Sequence, residues 1–152
     1  EKPEEETPRA NMLEASYLAG VSFTRAYVGY VHALAHALGG TFHVSHGYAN
    51  AILLPIVLAS YGKSAYKRLA RLSDAIKLTD ASKTDEEKAK SFILHIEKMN
   101  RAMGIPKSFG GIYQEKDIPA MADHAFKEAN PFYPVPKILG REELANILKE
   151  AM

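Results

Sequence analysis

Cysteine is absent from the 152 residues, so the chain has no disulfide framework and no thiol nucleophile. That suits the cytosol without requiring it. An excess of one charge is missing too. Nineteen Lys and Arg against 18 Asp and Glu leave a formal net charge of +1. This argues against nucleic acid or an anionic membrane as the main partner, since both call for a basic excess. No apolar run approaches the ~20 residues needed to cross a bilayer. The first nine residues, EKPEEETPR, are acidic and carry two prolines, the opposite of a secretory leader. A cytoplasmic location is therefore expected. What is present suits one domain with its own core: 47% of the residues are hydrophobic and 24% are charged.

The rest of the chain is organised around Gly29 to Pro55, GYVHALAHALGGTFHVSHGYANAILLP. It holds four of the six histidines: His32, His36, His43 and His46. His32 and His36 are four apart and share a helix face. Gly39 and Gly40 are expected to break that helix near Leu38. His46-Gly47 then opens a second apolar run, so the chain can fold back and set His46 beside the His32 face. Neutral imidazoles converging in this way suit a divalent transition metal. A single histidine is more often a surface or satisfied core residue, and HxxxH alone is weak. Ala33 stands where the glutamate of HExxH would be, so a metalloprotease has no general base. Spacing leaves a metal site open and names neither metal nor reaction.

The chain as a whole reads as a series of helices. Thr7-Pro8 resembles a helix start. From there to about Ala26, Met12, Ala15, Leu18, Ala19, Ser22 and Phe23 recur at helical spacing, which predicts a core-facing stripe. His43 is read as a loop residue. The run from His46 to Ser60 is apolar almost all round, as in a helix buried within a bundle. Pro55 removes one backbone bond from it and is expected to kink it near Ala51 or Ile52. Asn50, inside the same run, needs a hydrogen-bond partner, for which a backbone carbonyl near the His32 helix is the plain candidate. Tyr66, Leu69, Leu72 and Ile76 form the next stripe. Thr84 with Glu87 makes a capping box, followed by Phe92, Ile93, Ile96, Met99 and Met103, with Gly104 as C-cap. His95 is read as exposed. Asp117 is read as the N-cap of a further helix with Met121, Ala122, Ala125 and Phe126 inward. NPFYPVPKILG is extended, and Arg141 to Ala151 closes the chain as an amphipathic helix.

The pattern HxxAHxxG, a short spacer, then HGxxNAxxLP stands here as His32, Ala35, His36, Gly39, His46, Gly47, Asn50, Ala51, Leu54 and Pro55. With the preceding LAGVSFTRAYVGYVHA and the late Asn130-Pro131 pair, it resembles the C-terminal helical part of the iron-containing (group III) alcohol dehydrogenases. Ser45 departs from the family, which usually has proline there. The resemblance implies an all-α helical bundle, with residues 1–152 as a single helical metal-binding domain. It implies His32 and His46 as ligands of a divalent metal, Fe²⁺ or Zn²⁺. It places His36 against the nicotinamide of NAD(P) and the reacting carbon, and lines the substrate pocket with Phe23 and Phe126. The implied reaction is hydride transfer between the cofactor and a small-molecule alcohol or aldehyde. It also implies that a nucleotide-binding domain and two further ligands, an aspartate and a histidine, belong ahead of Glu1. The chain alone is then expected to be an inactive fragment of an enzyme, whose partner is the missing half. The competing reading is a non-catalytic helical scaffold that associates with itself over the exposed face.

Overall fold

The computed structural model describes residues 4–152. It consists of seven α-helices: α1 (Glu6–Ala26), α2 (Tyr30–Phe42), α3 (His46–Tyr61), α4 (Lys63–Ala75), α5 (Asp85–Ala102), α6 (Ile118–Ala129) and α7 (Arg141–Glu150). A 3₁₀ turn, Glu115–Asp117, leads into α6, and no strand occurs among the described residues. The all-α expectation holds, and no described helix is long and apolar enough to cross a membrane.

Helices α2 and α3 form the centre. The α2 helix packs against α3 and α6, α3 also packs against α5 and α7, and α4 lies along α5. The α2 helix buries Tyr30, Ala33, Leu34, Ala35, Ala37 and Leu38. Its small side chains let α3 and α6 approach on two sides, which leaves the histidine face as its remaining outward edge. The α3 helix buries Ala49, Ile52, Leu53, Pro55, Val57 and Tyr61. Pro55 cannot donate to the carbonyl of Ala51, and α5 compensates, with Asn100 Nδ2 donating to Ala51 O at 2.7 Å. Between α4 and α5, the largely buried Lys88 pairs with Asp74 at 2.8 Å.

Two long-range anchors tie the irregular segments down. The buried Tyr30 hydroxyl donates to Asn130 Oδ1 at 2.9 Å and accepts from the Leu139 N–H at 3.1 Å. This clamps the proline-rich segment under the start of α2. The FGG connector wraps the end of the chain: Phe109 N–H donates to Ala151 O at 2.8 Å and Gly110 N–H to Met152 O at 3.1 Å. It thereby supplies donors to the carbonyls at the end of α7.

Several expectations are corrected. The α1 stripe does not face a core, because α1 buries no residue. Met12 is 70% exposed, Leu18 55% and Phe23 53%. Burial needs a second surface, and no described element supplies one. The α1 N-cap is Glu5, with Thr7 and Pro8 already inside the helix. Gly39 and Gly40 do not end α2, which runs on to Phe42. The packing of its buried face outweighs the ~1 kcal/mol that an interior glycine costs. The end comes at His43, in the left-handed region (φ 55°, ψ 29°), with its N–H on Gly39 O. Leu72, Ile76, Met99 and Met103 are exposed, on the outer edges of the α4–α5 pair. His95 is half-buried. Asp117 makes no side-chain cap to α6, because its carboxylate accepts from Gln114 N–H within the 3₁₀ turn. The Thr84–Glu87 capping box is as read.

Candidate metal and substrate site

One turn of α2 carries His32 and His36 on one face, and α3 begins with His46. The turn between the helices brings the third ring to the first two. Ring centroids are 6.0 Å apart for His32–His36, 5.3 Å for His32–His46 and 5.3 Å for His36–His46, the last pair stacked. His43 stays outside this triangle, exposed at the left-handed cap. A glycine at 39 helps the turn to close, since a Cβ there would lie 3.4 Å from the Val44 carbonyl oxygen.

Each ring has a distinct environment. His32 is half-buried. Burial, then the neighbouring His46 and His36 rings, hold its pKa below the ordinary imidazole value against a smaller opposing pull from Glu128. His46 Nε2 accepts from Asn50 Nδ2 at 2.9 Å. Asn50 thus finds its partner one turn back on its own helix, not on a carbonyl near α2, and its buried Oδ1 has no hydrogen-bond partner. His36 Nδ1 meets Glu128 Oε1 at 2.7 Å. The Tyr133 hydroxyl donates to the same oxygen at 2.9 Å, and burial with that bond pushes the phenol up to about 12. His124 Nδ1 stands 3.9 Å from the other Glu128 oxygen. A cavity of about 500 Å³ opens beside His36, lined by Thr41, Lys116, Met121 and His124 among others. A second groove, of about 410 Å³ between α3 and α5, contains none of the histidines.

The structure therefore brings His32, His36 and His46 together, and Phe23 stands exposed on α1. Phe126 is half-buried on α6, with the Arg141 guanidinium 3.9 Å above its ring. Glu128 and Tyr133 were not singled out by sequence reading. Their only local signal is the i,i+4 pairing of Glu128 with His124.

Both His32 and His46 suit a metal chemically, since a ligand must be neutral. Burial favours neutral His32, and the Nε2 lone pair of His46, which accepts from Asn50 Nδ2, can go to an ion only if that bond is given up. The set is incomplete, however: among the described residues no three of His, Asp, Glu or Cys stand so as to hold an ion. The two histidines fit as members of a larger ligand set.

All 152 residues match the family model described as "Fe-containing alcohol dehydrogenase family, C-terminal". The chain belongs to the iron-containing alcohol dehydrogenase family. Among its relatives is the 1,3-propanediol dehydrogenase of Klebsiella pneumoniae, 37% identical over 145 residues that cover 94% of this chain and 37% of that protein. Alcohol dehydrogenase 4 of Saccharomyces cerevisiae is 37% identical over 150 residues, covering 94% of this chain and 36% of that protein. An alcohol dehydrogenase from Oenococcus oeni superposes with a TM-score of 0.85 at 32% identity, over 93% of this chain and 37% of that chain. The chain thus spans little more than a third of the length of these relatives.

Proposed function

We propose that this domain is the metal-binding C-terminal part of an NAD(P)-dependent alcohol dehydrogenase or aldehyde reductase. His32 and His46 are two ligands of a divalent ion, Fe²⁺ or Zn²⁺. His36 faces the nicotinamide and the reacting carbon, and Phe23 and Phe126 line the substrate pocket. The observation that carries the reading is the ring triangle, 5.3 to 6.0 Å on a side, at the histidines of the family pattern. When bound, the ion is a Lewis acid for a carbonyl or alcohol oxygen, and the nicotinamide supplies or takes the hydride. The chain's own part is to present lone-pair nitrogens from α2 and α3, to keep His32 neutral by burial, and to hold His36 beside them. The remaining ligands and the dinucleotide site come from the parent protein outside residues 1–152.

The test has two arms. Zn²⁺ is titrated into the purified chain and into His32→Ala, His46→Ala and His36→Ala variants. Loss of binding in the first two and retention in the third is expected, and binding indifferent to His32 and His46 overturns the ligand assignment. NAD(P)H-dependent aldehyde reduction is then measured on the chain alone. No turnover is expected, and turnover above the His32→Ala control refutes the incompleteness of the fragment.

The exposed apolar side chains of α1, including Met12, Leu13, Tyr17 and Leu18, favour a second reading, a scaffold that associates with itself. Sedimentation over a concentration series distinguishes it, since that reading requires a dimer and makes no demand on metal.

A further inference from the structure

We propose that Glu128 is the positioning residue for His36, fixing which ring nitrogen carries the proton and which is left to meet a bound molecule. The inference rests on the assignment of His36 to the reaction site. Three observations carry it. Glu128 Oε1 lies 2.7 Å from His36 Nδ1, and a carboxylate only accepts, so Nδ1 is the protonated nitrogen. The same oxygen accepts from the Tyr133 hydroxyl at 2.9 Å, so the oxygen that meets the ring is itself held by a second partner. Glu128 is 22% exposed while the His36 side chain is 42% exposed. The orienting group is thus the more sheltered of the two, and the oriented ring is open to a ligand.

The consequence is chemical. A neutral imidazole has one donor and one acceptor nitrogen, and the bond made by one decides the role of the other. With Nδ1–H committed to Glu128, Nε2 is the acceptor. It can receive the hydrogen bond of an alcohol hydroxyl or of an intervening water. An unrestrained ring would divide its time between two tautomers and several orientations. Glu128 and Tyr133 come from α6 and the segment after it, 92 residues or more beyond His36 in the chain. The Tyr30 clamp on Asn130 and Leu139 holds that region against the start of α2. The local order of the α6 end is therefore expressed as the tautomer of a ring on α2.

The test reads the tautomer directly. Imidazole ¹⁵N shifts of the ¹⁵N-labelled chain are measured above neutrality, where a histidine ring is uncharged. In the unsubstituted chain His36 is expected to be predominantly Nδ1–H, and a predominantly Nε2–H ring refutes the proposal without any variant. Glu128→Leu, close in size, should convert His36 to a mixture of tautomers. Glu128→Gln, whose amide oxygen can still accept, should restore Nδ1–H. A His36 tautomer unchanged in Glu128→Leu also refutes the proposal. Zn²⁺ titration of the same variants separates this failure from failure of the underlying reading. Glu128→Leu should bind Zn²⁺ as the unsubstituted chain does, while His46→Ala should not. If His46→Ala binds Zn²⁺ unchanged, the metal reading falls while the tautomer result stands.

Discussion

Replacing Asn100 by alanine should destabilise the chain through a residue that Asn100 is far from in sequence. Pro55 deprives the Ala51 carbonyl of its i+4 donor, and Asn100 Nδ2 supplies the missing bond at 2.7 Å. An unsatisfied buried carbonyl costs ~1–3 kcal/mol. Ala51 is only half-buried, so the lower half of that range applies, about 1–2 kcal/mol. For a chain of this size that is a fall in Tm of roughly 2–8 °C, at about 2–4 °C per kcal/mol. The decisive measurement is a double-mutant cycle by urea unfolding. In a Pro55→Ala background the new N–H at 55 can reach Ala51 O, so Asn100→Ala should then cost only about 0.5 kcal/mol, the small net worth of a redundant bond. The expected coupling is about 1 kcal/mol, above the ~0.3–0.5 kcal/mol within which independent sites add. Any loss of packing from Pro55→Ala is common to both arms and cancels. If Asn100→Ala costs the same in both backgrounds, Asn100 is not answering Pro55, and the account of how α3 tolerates its proline is wrong.

Tyr30→Phe should cost about 1–3 kcal/mol in urea unfolding, because it strands the buried Leu139 N–H and Asn130 Oδ1; an unchanged midpoint would dissolve the clamp. Glu87 accepts from the Thr84 backbone N–H, the Lys83 ammonium and the Thr84 hydroxyl, in that order of effect, which hold its carboxyl at about 2 against a usual 4.5. A depressed carboxylate stabilises the fold fully above its unfolded value and loses that contribution as pH falls through the folded one. The Glu87 contribution should therefore disappear between pH 4.5 and about 2. A side-chain NMR titration checks this, and Thr84→Ala should move the midpoint upward. Deleting residues 1–26 should leave the Tm of the remainder within about 2 °C, since surface changes away from packing usually fall within ±0.5 kcal/mol and α1 buries nothing. Loss of cooperative unfolding would show that α1 packs on the bundle after all.

What the sequence made legible was local. Two histidines four residues apart must share a helix face, a Thr three residues before a Glu can close a capping box, and an apolar run with one proline reads as a central helix. Each of these appears in the structure, and the return of His46 to the His32 face follows from the same reasoning. What stayed hidden was relational. The spacing from Met12 to Phe23 identifies an amphipathic face but cannot say whether the opposing surface lies within the chain, and none of the described elements covers it. The glycines at 39 and 40 weaken a helix in isolation, yet α2 continues because its other face is packed on two sides. Asn50 announced a need for a partner without naming His46. Glu128 meets His36 from 92 residues along the chain, with Tyr133 donating to the same carboxylate, and neither lies in a motif that would have drawn attention to it.

The ring triangle accordingly has two kinds of support, and they fail differently. Its edges depend on the helix period and on the turn at His43, which holds a left-handed conformation that costs an ordinary residue roughly 1 kcal/mol. The cap bond from His43 N–H to Gly39 O offsets part of that cost. A change in this turn moves His46 away from His32 and so opens the ring triangle. The orientation of His36 depends instead on α6 and the segment that follows it. Loss of the Glu128 carboxylate alone removes no contact between the rings of His32 and His46 and acts first on the nitrogen that His36 presents. If the proposed function holds, metal binding and the orientation of His36 should therefore be separable in this fold. A variant that loses one while keeping the other identifies which of the two scaffolds, the α2–α3 turn or the α6 end, it has disturbed.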